Sequence, residues 1–600
     1  MKKLMNGIDF HTYIQYGARE VIRNKDELNR INVYPVADGD TGSNLALTLQ
    51  SMVDFTQVED SFTITAMSAS EAAILEARGN SGVLFAQFFS GLAAALKGMD
   101  RVSVADFVRA AQVSEQKLHQ VLFAPAEGTI ITVIRVWVQS LASRHGEVEG
   151  FEDLFAQTVP QAEKALEETT NQMEVLRVNR VVDSGAKGFV LFLRGILDYL
   201  QGRAEQLGTD RPAGGKPLVQ PLQAADHGAS QHRYCCESIL RGCSAGAGIL
   251  TEALAPFGDS LIAAGEGDIR HIHIHTDDPA GVTAALNRFG AVTRPKVEDM
   301  AAQAALLASD GQARAHRPRV AVVTDSIADL SPELLARHQV HVLPLGLTVG
   351  DRQYLDRLTL APEDFYDMLD RLEAYPTSSL PGAPLIGDRL EWLLNHYDRV
   401  LIISVAAALS GTYDAFRRQV EALGTEAARV RLVDSRLNSG AQGLLVLKAA
   451  RLAEQGLSLE EIAAALEGTI GRSRIFVALA SFRYARRSGR IPKVVGAVGS
   501  LMNLKPIVSL DAQGKGTAFS IAFSQKKLLK RIAAIVEKTV REKGIESYGV
   551  VHGGNLREAE RLAAHLQGLT GMAPEFIAEI SSVTALHAGP GAVAAAFVTR

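Results

Sequence analysis

A chain of 600 residues exceeds what one hydrophobic core can serve, so several domains are expected. Apolar residues make up 47% and charged ones 22%, and the net charge of −5 offers no broad positive field for nucleic acid, which is not an expected partner. Three cysteines exclude a disulfide framework, no run approaches the ~18 apolar residues of a spanning helix, and Met1-Lys-Lys-Leu has no leader-like apolar run behind it. A cytoplasmic location without a transmembrane segment is the expectation.

Residues 1–202 read as almost wholly helical. Amphipathic stretches such as Ser70–Leu75, Val104–Leu118 and Phe151–Glu168 recur between loops marked by Gly or Pro, which predicts a helical bundle or barrel. Residues 203–232, with Arg211-Pro-Ala-Gly-Gly-Lys-Pro, read as a linker. A small unit at 233–298 follows, with strand-like alternation at His271-Ile-His-Ile-His, and 299–318 reads as a second linker. From 319 to 600, apolar runs at Val320–Val323, Val400–Val405 and Val430–Val433 alternate with helical patterns. That predicts an α/β domain built on a parallel sheet covered on both faces.

The densest local chemistry lies in Asn32-Val-Tyr-Pro-Val-Ala-Asp-Gly-Asp-Thr-Gly-Ser-Asn44. A glycine between Asp38 and Asp40 allows a tight turn that aims both carboxylates at one ion. Two hard oxygen ligands completed by phosphate oxygens suit Mg²⁺, with Thr41, Ser43 and Asn44 as further donors. Taken alone, the same triplet is compatible with a surface turn. Calcium is a weaker fit because the EF-hand spacing is absent. Three more glycine-marked turns open helices: Ala77-Arg-Gly-Asn-Ser-Gly82, Pro125-Ala-Glu-Gly-Thr-Ile130 and Val182-Asp-Ser-Gly-Ala-Lys-Gly188. Each could be a plain cap, but several beside paired carboxylates suggest phosphates at helix N-termini. There is no G-x-x-x-x-G-K-[ST] run, and Gly589-Pro-Gly-Ala-Val-Ala594 stands too near the end for a βαβ unit.

Through the runs at 32–44, 77–82 and 127–130, residues 1–200 resemble the ATP-binding domain of dihydroxyacetone kinases, in the form found in bacterial fatty acid kinases. The resemblance implies an antiparallel eight-helix barrel. It also implies that Asp38 and Asp40, helped by Asn32, hold Mg²⁺ on the ATP phosphates. Thr41, Asn44, Asn80, Ser81, Gly82 and Thr129 would then lie at the nucleotide, and Asp183 near the nucleoside.

All three cysteines, Cys235, Cys236 and Cys243, fall within nine residues, and His271, His273 and His275 would share one strand face. One cysteine with two such histidines would suit tetrahedral Zn²⁺, although a half-buried strand with solvent-facing histidines fits the spacing as well. Tyr234-Cys-x-Glu237, Gly258-Asp-Ser-Leu261 and the run His273–Pro279 resemble the middle domain of fatty acid kinases. That resemblance implies Cys235, His273 and His275 as zinc ligands in a small α+β domain and leaves the fourth ligand open.

The last domain carries hydroxyls and charge on shaped loops: Thr324-Asp-Ser-Ile-Ala-Asp329, Pro376-Thr-Ser-Ser-Leu-Pro381, Ala408-Leu-Ser-Gly-Thr-Tyr413, Arg486-Arg-Ser-Gly-Arg-Ile491 and His587-Ala-Gly-Pro-Gly591. Such loops can hold a small anion, although each alone reads as a cap or turn. Together they resemble the DegV family of fatty-acid carriers over 319–600. The resemblance implies that Thr377 or Ser378, Ser410 with Gly411, and His587 hold a fatty acid carboxylate, with Arg487 or Arg490 assisting. The family's Thr-Ser-Gln-Pro is here Thr377-Ser-Ser-Leu-Pro381, one residue longer before proline.

A carboxylate is ionised at neutral pH and needs no general base as a nucleophile. The expected reaction is therefore transfer of the ATP γ-phosphoryl group to a bound long-chain fatty acid, giving acyl phosphate, with positioning and charge neutralisation as the catalytic means. An acyl-phosphate-using acyltransferase would be a downstream partner. Fusion raises the modules' effective concentration, and either the tether or a homodimer would replace the docking domain found in separate fatty acid kinases. The competing readings are a kinase of a small hydroxylated metabolite and a non-catalytic lipid sensor with a regulatory ATP domain.

Overall fold

The computed structural model describes residues 2–122, 125–204, 232–303, 319–372, 374–488 and 504–600. The chain divides into two compact units, Met1–Arg314 and Ala315–Arg600. Most of the two expected linkers falls outside the described residues.

Among the described residues, the first unit begins with ten helices: α1 (Gly7–Arg23), α2 (Lys25–Arg30), α3 (Thr41–Phe55), α4 (Phe62–Glu76), α5 (Gly79–Ala95), α6 (Val104–Val121), α7 (Ile130–Arg144), α8 (Phe151–Gln172), α9 (Glu174–Asn179) and α10 (Ser184–Leu200). Local chemistry starts them cleanly. Asn6 and Asp9 form a reciprocal capping box on α1, as Ser103 and Asp106 do on α6. The eight long helices pack on one another in cyclic order, α1–α3–α4–α5–α6–α7–α8–α10 and back to α1. The apolar faces meet in a cluster containing Phe85, Phe88, Trp137, Phe151, Phe189 and Phe192. Each such ring contributes about 2–3 kcal/mol on burial. Gly17 lets α1 approach α10, since a Cβ there would lie 2.5 Å from the Phe192 ring.

The same unit continues into an antiparallel sheet of β1 (Tyr234–Arg241), β2 (Gly258–Ala264), β3 (Ile269–Thr276) and β4 (Ala291–Asp299), in the order β2-β3-β1-β4. Two helices, Ala247–Leu254 and Pro279–Leu286, accompany it. The domain runs past the expected boundary at 298. The last strand reaches Asp299, the Met300 N–H donates to the Arg233 carbonyl, and residues 301–303 are helical.

In the second unit the runs at 320, 400 and 430 form a wholly parallel part-sheet, as the periodicity predicts: β5 (Val320–Asp325), β6 (Arg399–Ser404) and β7 (Val430–Asp434), flanked by His341–Leu343. A six-stranded sheet departs from the prediction, because it is antiparallel except for one edge pair. Its strand Val593–Thr599 is buried along its whole length. It therefore carries the continuous apolar run of a parallel strand, and composition alone does not give its direction. The helix Ser439–Glu454 packs against strands of both sheets.

Candidate functional sites

Asp38 and Asp40 sit on the turn that leads into α3. Gly39 adopts φ +70°, which permits the reversal that brings the flanking carboxylates into mutual hydrogen-bonding contact. Asn32, itself buried, donates from Nδ2 to Asp38 Oδ1 at 2.6 Å. Asp40 stands at the N-cap of α3, but its side chain makes no cap bond, leaving the carboxylate available to a ligand. Burial is the largest influence on both groups. It pushes Asp38 up to about 6 and, with the neighbouring Asp38 charge, Asp40 well above the ordinary carboxylate range. Two crowded carboxylates of this kind retain a proton unless a cation replaces it. Glu298, from β4, adds negative charge against the pair, and Lys296 offsets part of it.

Four helix starts converge around this turn. Gly79, the first residue of α5, has φ +60°, and a Cβ there would lie 2.8 Å from Asn44 Nδ2 in the first turn of α3. Asn80, Ser81 and Gly82 complete the first turn of α5. Ser81 lies against Gly185 at the start of α10, with no room for a Cβ between them. Asp183 caps α10 by accepting the Ala186 N–H at 2.8 Å. Burial raises its carboxyl to about 6, against hydrogen bonds from the N–H groups of Ala186 and Ile130, the latter opening α7. Converging N-termini supply unpaired N–H groups and positive dipole ends, which suits phosphate. Thr41 opens α3. The Thr129 hydroxyl donates to the Ala126 carbonyl at 2.8 Å, within its own turn. Ser43 faces α2, where its N–H and hydroxyl meet the Asn29 amide at 3.0 and 2.9 Å.

On the neighbouring sheet, Cys235, His273 and His275 place one donor atom each within 4.8 Å of one another, and all three are buried. Among the described residues, His273 Nε2 and His275 Nδ1 have no hydrogen-bond partner. Burial raises the Cys235 thiol well above its ordinary range and drives His275 well below its own, which keeps that imidazole neutral. A buried Cys–His–His set with orphaned ring nitrogens fits Zn²⁺, which binds neutral imidazole and displaces a thiol proton. His271 is turned away and pairs through Nδ1 with the Ile74 carbonyl at 2.8 Å. Cys236 falls on the opposite face by strand alternation, and Cys243 Sγ lies 3.8 Å from the Ala245 carbonyl. Asp259 Oδ1 stands 3.7 Å from His275 Nδ1.

In the second unit, an open cleft of about 650 Å³ is lined by Leu345, Ser378, Ser379, Leu380, Ala408, Leu409, Ser410 and Gly411. Ser378 is held in the strand Thr377–Ser379, paired with Gly346–Val349. Ser410 Oγ lies 2.8 Å from Thr412 Oγ1 and accepts the Thr412 N–H at 3.3 Å, so its orientation is set by the start of the helix Thr412–Ala422.

Three family models match consecutive stretches of the chain: a DAK2 domain at 35–198, a fatty acid kinase (FakA-like) middle domain at 231–307, and "uncharacterised protein, DegV family" at 319–600. A DegV domain-containing protein of Clostridium perfringens is 32% identical over 280 residues, 46% of this chain and 96% of that protein. The chain belongs to the DegV family. It joins that domain to the two kinase-type domains in one polypeptide. An uncharacterised protein of Staphylococcus saprophyticus is 30% identical over 317 residues, half of this chain and 56% of that protein. Solved structures of a Thermus thermophilus DegV family protein and of Bacillus subtilis DegV, both described as binding fatty acid, are 27% and 26% identical. Each aligns with 47% of this chain and with 100% and 99% of its own, at a TM-score of 0.43.

Within the DegV domain the structure gathers only part of the expected carboxylate clamp in the cleft. Ser378, Ser410 and Gly411 line it, while Thr377 and His587 are not among its lining residues. His587 ends the helix Ser582–Ala588, followed by Gly589 at φ +76°. Arg487 lies 4.4 Å over the Tyr375 ring, and the Tyr375 hydroxyl donates to the Leu586 carbonyl, beside His587. Arg490 lies outside the described residues. Sequence reasoning named Glu237 only as part of a motif, with no role, and missed Lys296 and Glu298. The available signal was charged residues alternating with apolar ones along β4, which pairs with β1, itself the neighbour of the histidine strand.

Proposed function

We propose that this chain phosphorylates a bound fatty acid carboxylate with ATP, releasing acyl phosphate and ADP. The observation that carries the reading is the convergence of four helix starts on two mutually bonded, half-buried carboxylates whose ionisation calls for a cation. The kinase-type domain models and the hydroxyl-lined DegV cleft support it.

Asp38 and Asp40, steadied by Asn32, would hold Mg²⁺, which neutralises phosphate charge when bound. Asn44, Asn80, Ser81, Gly82 and the turn at Thr129 would orient the triphosphate, and Asp183 would set one wall toward the nucleoside. Cys235, His273 and His275 would hold Zn²⁺. In the DegV domain, Ser378 and Ser410 would donate to the fatty acid carboxylate, and Leu345, Leu380 and Leu409 would receive the first carbons of the acyl chain. Charge-assisted hydrogen bonds of this kind contribute about 1.5–3 kcal/mol each.

The test is ADP release by the purified chain with and without a long-chain fatty acid, and again for Asp38→Ala/Asp40→Ala. Fatty-acid-stimulated turnover that the double variant abolishes is expected. Turnover with glycerone instead would establish a metabolite kinase. Fatty acid binding without any turnover would leave a lipid carrier or sensor.

A further inference from the structure

The strand register builds a polar array on the sheet face that carries the Cys–His–His cluster. Across the four strands, Asp259, His275, Cys235 and Glu298 form one row, and Ile262, His273, Glu237 and Lys296 the next. Glu237 lies at the centre of the second row and is 5% exposed. Its Oε1 lies 3.2 Å from His273 Nδ1 and accepts the Gly79 N–H at 2.5 Å, while Oε2 lies 3.6 Å from Lys296 Nζ.

We infer that Glu237 is a positioning residue that couples metal occupancy of Cys235, His273 and His275 to the phosphate-facing turn at Gly79. The inference rests on the nucleotide site proposed above. One carboxylate joins a candidate metal ligand to the first N–H of α5, and Gly79 in turn abuts Asn44, whose own N–H binds the Asp40 carbonyl at 2.9 Å. A histidine that ligates metal through one nitrogen commonly donates its other N–H to a carboxylate, which fixes both groups. With the metal bound, His273 would hold Glu237, and Glu237 would hold Gly79. With it removed, the hold of His273 on Glu237 is relaxed, and with it the hold of Glu237 on the Gly79 N–H.

The experiment titrates the full-length chain with MgADP by calorimetry, zinc-loaded and zinc-stripped, for wild type, Glu237→Gln and Glu237→Ala. Stripping zinc should weaken MgADP binding about tenfold in wild type and leave both variants nearly unchanged between their two states. Zinc affinity in the variants should fall about 10–100-fold, the usual effect of losing a carboxylate partner to a ligating histidine. By reciprocity, MgADP should tighten zinc binding to wild type by the same tenfold factor. That measurement decides the matter if the stripped protein does not hold its fold, and the near-isosteric Glu237→Gln does so if the alanine variant does not.

MgADP affinity indifferent to zinc in wild type, or coupling of full size in Glu237→Gln, overturns the inference while leaving the kinase reading intact. Failure of the zinc-loaded wild type to bind MgADP overturns the nucleotide site and the coupling together. Normal coupling without fatty-acid-dependent turnover supports the inference and removes only the proposed reaction.

Discussion

Gly589 is the position where a single methyl group should do most damage to the DegV domain. Its φ of 76° and ψ of 163° fall in a region open essentially to glycine, which costs another residue about 1–3 kcal/mol. A Cβ would also lie 2.1 Å from Tyr484 Cδ2, about 1.3 Å short of the 3.4 Å at which ordinary contact begins. The ring cannot swing away cheaply, because Tyr484 is buried and its hydroxyl donates to Asp370 at 2.8 Å. Overpacking of this kind adds about 1–3 kcal/mol, so Gly589→Ala should cost about 4 kcal/mol in all. Gly571→Ala is the control: φ is +72° there, but nothing among the described residues lies within 4 Å, so about 1 kcal/mol is expected. Urea unfolding read by Trp392 fluorescence in a Trp137→Phe background reports the second unit, since the chain has two tryptophans, one in each unit. A Gly589→Ala loss no larger than that of Gly571→Ala would refute the reasoning. A double-mutant cycle with Tyr484→Ala should recover the steric share and leave the backbone share in place.

Two further outcomes follow from the sites. Asp183 is raised from 3.8 to about 6 in the folded protein, so its stabilising contribution is complete below 3.8 and is lost as pH rises through about 6. Relative to Asp183→Asn, wild-type stability should therefore fall by roughly 2 kcal/mol between pH 4 and 7.5, read as unfolding midpoints across that range. In the second unit, Ser410→Ala should weaken binding of a long-chain fatty acid about tenfold, the effect of one lost charge-assisted hydrogen bond, while the unfolding midpoint stays unchanged. Fluorescent fatty acid displacement measures the first quantity, and equal affinity in the variant would remove Ser410 from the site.

What could be read from the chain was whatever depends on near neighbours. The Asp38-Gly-Asp40 turn is local, because one glycine able to reach positive φ brings two carboxylates together wherever the turn is placed. The same holds for Ser410 above the start of its helix and for the three histidines sharing a strand face. The helices recognised by periodicity at Val104–Leu118 and Phe151–Glu168 reappear in α6 and α8 for the same reason.

Tertiary structure decided everything that depends on which distant segment arrives beside which. From spacing alone His271, His273 and His275 were equivalent. Packing against the helical domain gives His271 to the Ile74 carbonyl, and cross-strand register gives the other two to Cys235. An apolar run such as Val593–Thr599 carries no sign of its direction, so the second sheet could not be told from a parallel one. Glu237, Lys296 and Glu298 gained their roles only when two strands aligned them across from the cluster and set that face toward α5. Local sequence specifies which groups a turn or strand presents, because a few bonds fix their relation. Their partners lie 36 to 197 residues away, and only the packed core chooses among them.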